Sequence, residues 1–130
     1  MPLDQDALNQ TSSAIIEAAI KVHSILGPGL LESVYCTCLA YELRARGLAV
    51  ESEKAVPVYY EGLRLDGGYR IDLLVEDSVI VEVKSTERVL PVHYAQLLSY
   101  LKLLDKRLGL LINFNTPLVT QGIKRVVNHF

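Results

Sequence analysis

The chain has 130 residues, of which 50% are hydrophobic and 22% are charged, a composition typical of one compact globular domain (residues 1–130) and not of a disordered chain. Its net charge of −2 argues against a protein that coats nucleic acid by charge alone. No apolar run approaches the roughly eighteen residues of a membrane span. Residues 1–10 carry two aspartates and no basic residue, unlike a signal or transit peptide, so we expect a cytoplasmic protein.

Two helices are predicted in the first third of the chain. Residues 6–26 carry one apolar stripe, and the Gly-Pro-Gly run at residues 27–29 ends this helix because proline and glycine interrupt its hydrogen bonds. Residues 30–46 place apolar side chains at spacings of three and four, and Gly47 is a natural left-handed stop.

Both cysteines lie on the second predicted helix. Cys36 and Cys38 are two residues apart, so they point to nearly opposite sides and cannot pair with each other. Two thiols are also too few for a structural zinc site or an iron–sulfur cluster. We therefore expect ordinary reduced cysteines, one of them in the core.

The pattern then changes to the period of two that is typical of strands. Strands are predicted over residues 49–53, 56–60, 63–65, 69–75, 79–84 and 107–113. A helix with Pro91 in its first turn runs to about Asp105, and the tail at residues 120–130 is either a short strand or a helix. The coarse order α-α-β-β-β-β-α-β predicts an α/β fold, a mixed β-sheet flanked by helices.

The residues that point to chemistry lie on two neighbouring predicted strands. Glu82 and Lys84 are two residues apart, so they leave the same face of a strand, roughly 6.6 Å apart. A three-residue loop at residues 76–78 places Asp72 opposite Glu82 on that face, whereas a two-residue loop would place them on opposite faces. The residues that alternate with them are apolar: Ile71, Leu73, Val81 and Val83. We therefore expect one buried face and one face that presents the carboxylates.

Two adjacent carboxylates repel each other unless a positive charge lies between them. A divalent cation that takes oxygen ligands meets this need, and Mg²⁺ is the expected ion because it retains its water. Lys84, on the same face, can orient or activate a metal-bound water. On spacing alone, the alternative is a solvated sheet face with an ordinary cross-strand ion pair.

Three motifs together resemble those of known nucleases. Asp72 followed by Glu82-x-Lys84 across a hairpin resembles the PD-(D/E)xK nuclease superfamily, although Ile71 stands where a proline often precedes the aspartate. Residues 29–35 read GxxExxY, similar to the signature of the small GxxExxY proteins assigned to that superfamily. Residues 96–100 read QxxxY, similar to the motif after the ExK strand in RecB-type and lambda-exonuclease-type nucleases. The motifs occur in the expected order, and the resemblance covers about residues 15–127.

The resemblance implies a metal-dependent nuclease that hydrolyses the phosphodiester bonds of nucleic acid, DNA rather than RNA, with a metal-activated water. It implies that Asp72 and Glu82 bind Mg²⁺ or Mn²⁺, with the backbone carbonyl of Val83 completing the set. Glu32 would reach the ion through a water, and Tyr35 is expected to pack and to orient Glu32.

The resemblance also implies catalytic roles for Lys84, Gln96 and Tyr100. Lys84 would be the water-activating base or the charge stabiliser. Gln96 and Tyr100, one helical turn apart on one face, would position Lys84, the water or a phosphate. Because leucines surround Gln96 in the sequence, we expect its side chain to be half-buried.

Two other functional classes stay open at this point. One is a nucleic-acid-binding module that retains the site without cleaving; the other is a subunit of a larger DNA repair or defence complex, in which a partner supplies DNA affinity. The positive mean hydropathy indicates that some apolar surface is buried against another chain. We therefore expect a homodimer or another protein partner.

Overall fold

The structure is a computed structural model that describes residues 4–130. Residues 1–3, part of the N-terminal segment considered above for a targeting signal, lie outside the described residues. Among the helices of residues 4–130, none combines the length and the apolar character that crossing a membrane requires.

Two long helices begin the fold. Helix α1 (Gln5–Leu26) starts at Asp4, whose carboxylate accepts a hydrogen bond from the backbone N–H of Ala7 at 2.7 Å. Helix α2 (Glu32–Ala45) starts two residues later than predicted, because Leu31 has an extended backbone and forms its N-cap. The prediction of two helices separated by a glycine–proline break is confirmed.

Seven strands and a third helix complete the chain. In chain order they are β1 (Val50–Ala55), β2 (Val58–Tyr60), β3 (Leu63–Leu65), β4 (Arg70–Val75), β5 (Val79–Lys84), α3 (Pro91–Leu103), β6 (Leu108–Asn113) and β7 (Ile123–Val127). The main sheet has the order β1-β4-β5-β6-β7, in which only β5 and β6 are parallel. Strands β2 and β3 form a separate antiparallel hairpin.

All five strand segments predicted before the third helix form, so the coarse order, which counted four there, was one strand short. It was also one strand short after that helix, because the tail pairs with β6 as β7. The tail, which the sequence left undecided, contains both alternatives in succession: a short 3₁₀ helix (Val119–Gly122) and then β7.

Helices cover both faces of the main sheet. On one face, buried residues of α1 and α2 pack against alternate residues of β4, β5 and β6 such as Leu73, Val81 and Leu110. On the other face, Leu97 and Leu101 of α3 pack against the remaining strand residues. Because the parallel strands β5 and β6 need a crossover connection, α3 lies against the sheet and buries the face that would otherwise be exposed.

This covering corrects the prediction of one buried face and one face open to solvent. Glu82 is only 7% exposed, since it lies in a strand that is buried on both sides. Ile71 and Leu73 were expected to share a face, yet Ile71 packs in the α3 layer and Leu73 in the α1–α2 layer. Strand β4 therefore changes its orientation at Asp72, between them. Opposite this point, Glu53 of β1 has a left-handed backbone with φ +51°.

Candidate active site

The hairpin between β4 and β5 sets the relation of the two acidic residues. Val75 pairs with Val79 across a loop of residues 76–78, and the register continues through Leu73 and Val81. If this register is continued by one more residue pair, Asp72 lies opposite Glu82. The predicted three-residue loop is confirmed.

The strand pairing changes character at these two residues, because their side chains occupy the place of backbone hydrogen bonds. The N–H of Val83 donates to Oδ2 of Asp72 at 2.7 Å, and the N–H of Asp72 donates to Oε1 of Glu82 at 3.2 Å. Each carboxylate thus has one oxygen bound to the backbone, and the two side chains also form a hydrogen bond with each other. The carbonyl of Val83 leaves β5 on the same side as its N–H, toward this carboxylate pair.

The carboxylate pair is electrostatically unfavourable without a cation. Burial, followed by the charge of Asp72, raises the pKa of Glu82 from 4.5 to about 8. Burial also raises the pKa of Asp72, although the N–H of Val83 and the charge of Lys84 oppose this. A positive ion beside the pair would favour both carboxylates in their ionised form.

A cleft of about 440 Å³ reaches Asp72 from the α2 side. Glu32, Cys36 and Glu53 line it together with Asp72. The charge of Glu32 contributes to the raised pKa of Asp72, so the two carboxylates interact across the cleft. Burial, with the nearby acids adding to it, raises the pKa of the Cys36 thiol to about 12. Hard cations such as Mg²⁺ take oxygen ligands and not the soft sulfur of a cysteine, so the carboxylates are the donors that suit such an ion here.

The loop that precedes α2 is held in place by Tyr35. Its hydroxyl accepts a hydrogen bond from the N–H of Leu30 at 3.1 Å and donates one to the carbonyl of Gly27. Its buried ring stacks on Phe114, with centroids 4.5 Å apart and planes inclined by 7°. The prediction that Tyr35 packs is confirmed, and its contacts position the first turn of α2, where Glu32 lies.

A second tie joins this loop to the end of β5. The hydroxyl of Ser85 donates a hydrogen bond to the carbonyl of Leu30. Ser85 directly follows Lys84, and Leu30 lies two residues before Glu32, so this bond links the two parts of the site. Gly29 has φ +98°, a left-handed conformation that glycine adopts without strain. The GxxExxY motif therefore has a structural explanation: the glycine turns the chain, the tyrosine holds the turn, and the glutamate faces the cleft.

Lys84 and Tyr100 also lie close enough to the carboxylate pair to interact with its charge. The charge of Lys84 lowers the pKa of both Asp72 and Glu82, and none of the ion pairs formed by residues 4–130 involves this half-buried lysine. Tyr100 is 6% exposed, and its pKa is raised by burial and then by the charge of Glu82. The structure thus brings Asp72, Glu82, Lys84 and Tyr100 together.

Gln96 is not part of this group. Its side chain is exposed, so the prediction of a half-buried glutamine was wrong. The reason is that Leu97 and Leu101 point toward the sheet, which leaves Gln96 on the outer surface of α3. Within the described part of the chain it forms no hydrogen bond with Lys84, and it lines a second cleft with Tyr69 and Tyr100.

The donor set fits a hard divalent cation. Residues 4–130 contain no arrangement of three or more His, Cys, Asp or Glu side chains that could hold a metal ion by themselves. Magnesium does not require one, since it binds through one or two carboxylates and keeps waters and substrate phosphate oxygens as its other ligands. Asp72 and Glu82 supply two adjacent carboxylates, close to the backbone carbonyl of Val83.

Three residues beside the site were not identified from the sequence: Cys36, Glu53 and Tyr69. Cys36 lies four residues after Glu32, so helical spacing could have placed both on one face of α2. Glu53 falls on a predicted strand and Tyr69 follows a glycine turn, and neither pattern indicates proximity to Asp72. Their placement depends on the pairing of β1 with β4 and on the position of the segment between β3 and β4, which local sequence patterns do not report.

The fold and the site together define an α/β protein with a nuclease-type core. A sequence model of the PD-(D/E)XK nuclease superfamily matches residues 9–126. The chain therefore belongs to the PD-(D/E)XK nuclease superfamily. No curated protein and no solved structure gives a significant match to the chain.

Proposed function

We propose that the protein is a metal-dependent nuclease that hydrolyses phosphodiester bonds, with DNA preferred to RNA. The observation that supports this most directly is the pair of the half-buried Asp72 and the buried Glu82, at the point where side chains replace the β4–β5 backbone pairing. Lys84 lies beside the pair and outside any ion pair of the described chain. Membership of the nuclease superfamily supports the same reaction class.

In this proposal, the ion is Mg²⁺ or Mn²⁺. Asp72, Glu82 and the carbonyl of Val83 would hold it, and Glu32 would contact it through water from the α2 side of the cleft. When bound, such an ion supplies positive charge that polarises the scissile phosphate and favours ionisation of water. The raised pKa of Glu82 is consistent with a site that is built to be balanced by a cation.

The remaining site residues act on the substrate and its protons. Lys84 holds or accepts a proton of the attacking water, or balances the charge that develops on the phosphate. Tyr100, whose ring is buried beside Glu82, positions Lys84, the water or a phosphate oxygen. Gln96 is exposed at the adjoining cleft, so we assign it to substrate contact and not to orientation of Lys84.

The test is a cleavage assay on single- and double-stranded DNA and RNA, linear and circular. Wild type would be compared with Glu82→Ala in Mg²⁺, in Mn²⁺ and in chelator, and Glu87→Ala, an exposed acid outside the site, is the matched control. We expect cutting by wild type and by the control in metal only, and no cutting by Glu82→Ala. Circular dichroism would show that the variants are folded.

Full activity in Glu82→Ala would refute the assignment. If no substrate is cut while nucleic acid still binds, the non-cleaving module becomes the better description; if the isolated chain binds none, a subunit that depends on a partner does. Membership of the narrower GxxExxY family, the single domain, the homodimer or protein partner and the cytoplasmic location stay predictions.

A further inference from the structure

A second cleft of about 500 Å³ lies between the β2–β3 hairpin and α3. The residues that line it include Val58, Tyr69, Gln96, Ser99, Tyr100 and Lys102. Its volume is within the range of sites that take small organic ligands. Tyr100 lines this cleft and is also close enough to Glu82 for that charge to raise its pKa, so one wall of the cleft lies near the candidate active site.

Tyr69 offers an aromatic surface that is both exposed and held in position. Its side chain is 48% exposed, and its ring lies 6.4 Å from that of Tyr100 at an angle of 56°. The ring also lies against Gly67, where an added Cβ would stand 3.1 Å from Cε2 of the tyrosine. The carbonyl of Tyr69 accepts a hydrogen bond from the N–H of Val56 at 2.9 Å. A ring that already packs beside Gly67 and Tyr100 loses less freedom than a fully solvated ring when a planar ligand stacks on it.

The polar groups of the cleft match the edges and phosphates of a nucleotide. Gln96 and Ser99 are exposed and provide an amide and a hydroxyl, which can donate and accept hydrogen bonds. Lys102 is the cation among the residues that line the cleft, and none of those residues is a carboxylate. The cleft therefore favours an anionic ligand, in contrast to the acidic cleft that contains Glu32 and Asp72.

We infer that this cleft receives an unpaired nucleobase adjacent to the phosphate that faces Asp72 and Glu82. The inference rests on the proposed function and specifies its substrate as single-stranded or locally unpaired nucleic acid. A base within a duplex is stacked and paired, so it reaches such a cleft only when it leaves the helix. Stacking on Tyr69 accepts every base, because each has a planar face, whereas the amide of Gln96 distinguishes between bases.

The experiment measures binding in chelator, where no cleavage occurs, by fluorescence anisotropy. The probes are a labelled single-stranded DNA, the matching single-stranded RNA and the blunt DNA duplex of the same sequence. The proteins are wild type, Tyr69→Ala, Tyr69→Phe and, as matched control, Tyr41→Ala, which removes a tyrosine that is 71% exposed on α2. We expect Tyr69→Ala to bind single strands roughly tenfold more weakly, while Tyr69→Phe and the control stay within about twofold of wild type and duplex binding is unchanged.

A second variant keeps the inference testable if Tyr69→Ala unfolds. Gln96→Leu keeps the bulk of the side chain and removes its amide, so we expect it to reduce the differences in affinity among single strands that contain only adenine, cytosine or thymine. Equal losses on single strands and duplex, or no loss in either variant, would overturn the inference. The inference would also be overturned if none of the nucleic-acid probes binds, and a peptide would then be the next ligand to test.

The cleavage assay separates this inference from the proposed function. If Glu82-dependent cutting is found but single-strand binding does not depend on Tyr69, the nuclease stands and the base-binding cleft is wrong. If no substrate is cut but single-strand binding depends on Tyr69, the cleft stands and the nuclease proposal fails.

Discussion

Replacing Glu82 by glutamine should make the metal-free protein more stable at pH 8. Glu82 is 7% exposed, and burial together with the charge of Asp72 raises its pKa from 4.5 to about 8. The folded protein therefore holds this proton to a higher pH than the unfolded chain does. The contribution of Glu82 to stability is fully present below about pH 4.5 and is lost as the pH rises toward about 8.

At about 1.4 kcal/mol per pKa unit, this loss is on the order of 4 kcal/mol for the free energy of unfolding. Glutamine is neutral at every pH and keeps a side-chain oxygen that can accept the hydrogen bond from the N–H of Asp72, which Glu82 accepts at 3.2 Å. We expect the Glu82→Gln variant and wild type to have nearly the same stability at pH 5. At pH 8 the variant should exceed wild type by about that amount.

Urea unfolding in chelator, followed by circular dichroism between pH 5 and pH 9, measures both curves. Glu87→Gln is the matched control, because it removes an exposed carboxylate and should follow wild type at every pH. Parallel curves for wild type and Glu82→Gln would refute the reasoning, since they would show that Glu82 ionises as easily in the folded protein as in the unfolded chain.

Three further predictions follow from particular contacts. Mg²⁺ at about a hundred times its Kd should stabilise wild type at pH 8 by about 2.7 kcal/mol and Glu82→Gln by much less. Thermal unfolding measures both stabilisations, and equal stabilisation of the two proteins would show that the ion binds elsewhere. Tyr35→Phe should lower the free energy of unfolding by about 1–2 kcal/mol, because the hydrogen bonds of the hydroxyl with Leu30 and Gly27 are lost while the stack on Phe114 stays. Urea unfolding measures this loss, with Tyr41→Phe as the control. An unchanged free energy of unfolding in Tyr35→Phe would contradict the prediction. Gly122→Ala should cost about 1–3 kcal/mol in the same assay, because an added Cβ would stand 2.1 Å from the carbonyl oxygen of Asn113; wild-type stability in this variant would show that the tail adjusts freely.

Much of the architecture was predictable because it depends on local patterns. The predicted bounds of β3 and β5 agree with the structure, since turn residues flank short runs with the strand period. The position of Asp72 opposite Glu82 followed from the parity of the hairpin loop alone, because a shift by one residue reverses the face of a strand. The tail at residues 120–130 has no such dominant pattern, and the pairing of β7 with β6 decides its structure.

The candidate site was predictable in part. Helical spacing relates Glu32 to Tyr35, and strand spacing relates Glu82 to Lys84. The exposure of Gln96 was predicted wrongly, because flanking leucines in the sequence do not show which side of α3 meets the sheet. The positions of Glu53 and Tyr69 depend on contacts between segments that are distant along the chain, which periodicity does not report.

The sequence by itself determined which residues alternate between the two faces of a strand, where the chain turns and which acids lie on neighbouring strands. These features follow from backbone geometry over a few residues. Only the tertiary structure decided that Glu82 is buried and Asp72 half-buried. The parallel pairing of β5 and β6 requires α3 to cross the sheet, and that crossing covers the face on which Glu82 lies. This burial raises the pKa of Glu82, so a bound cation would be needed to keep both carboxylates ionised.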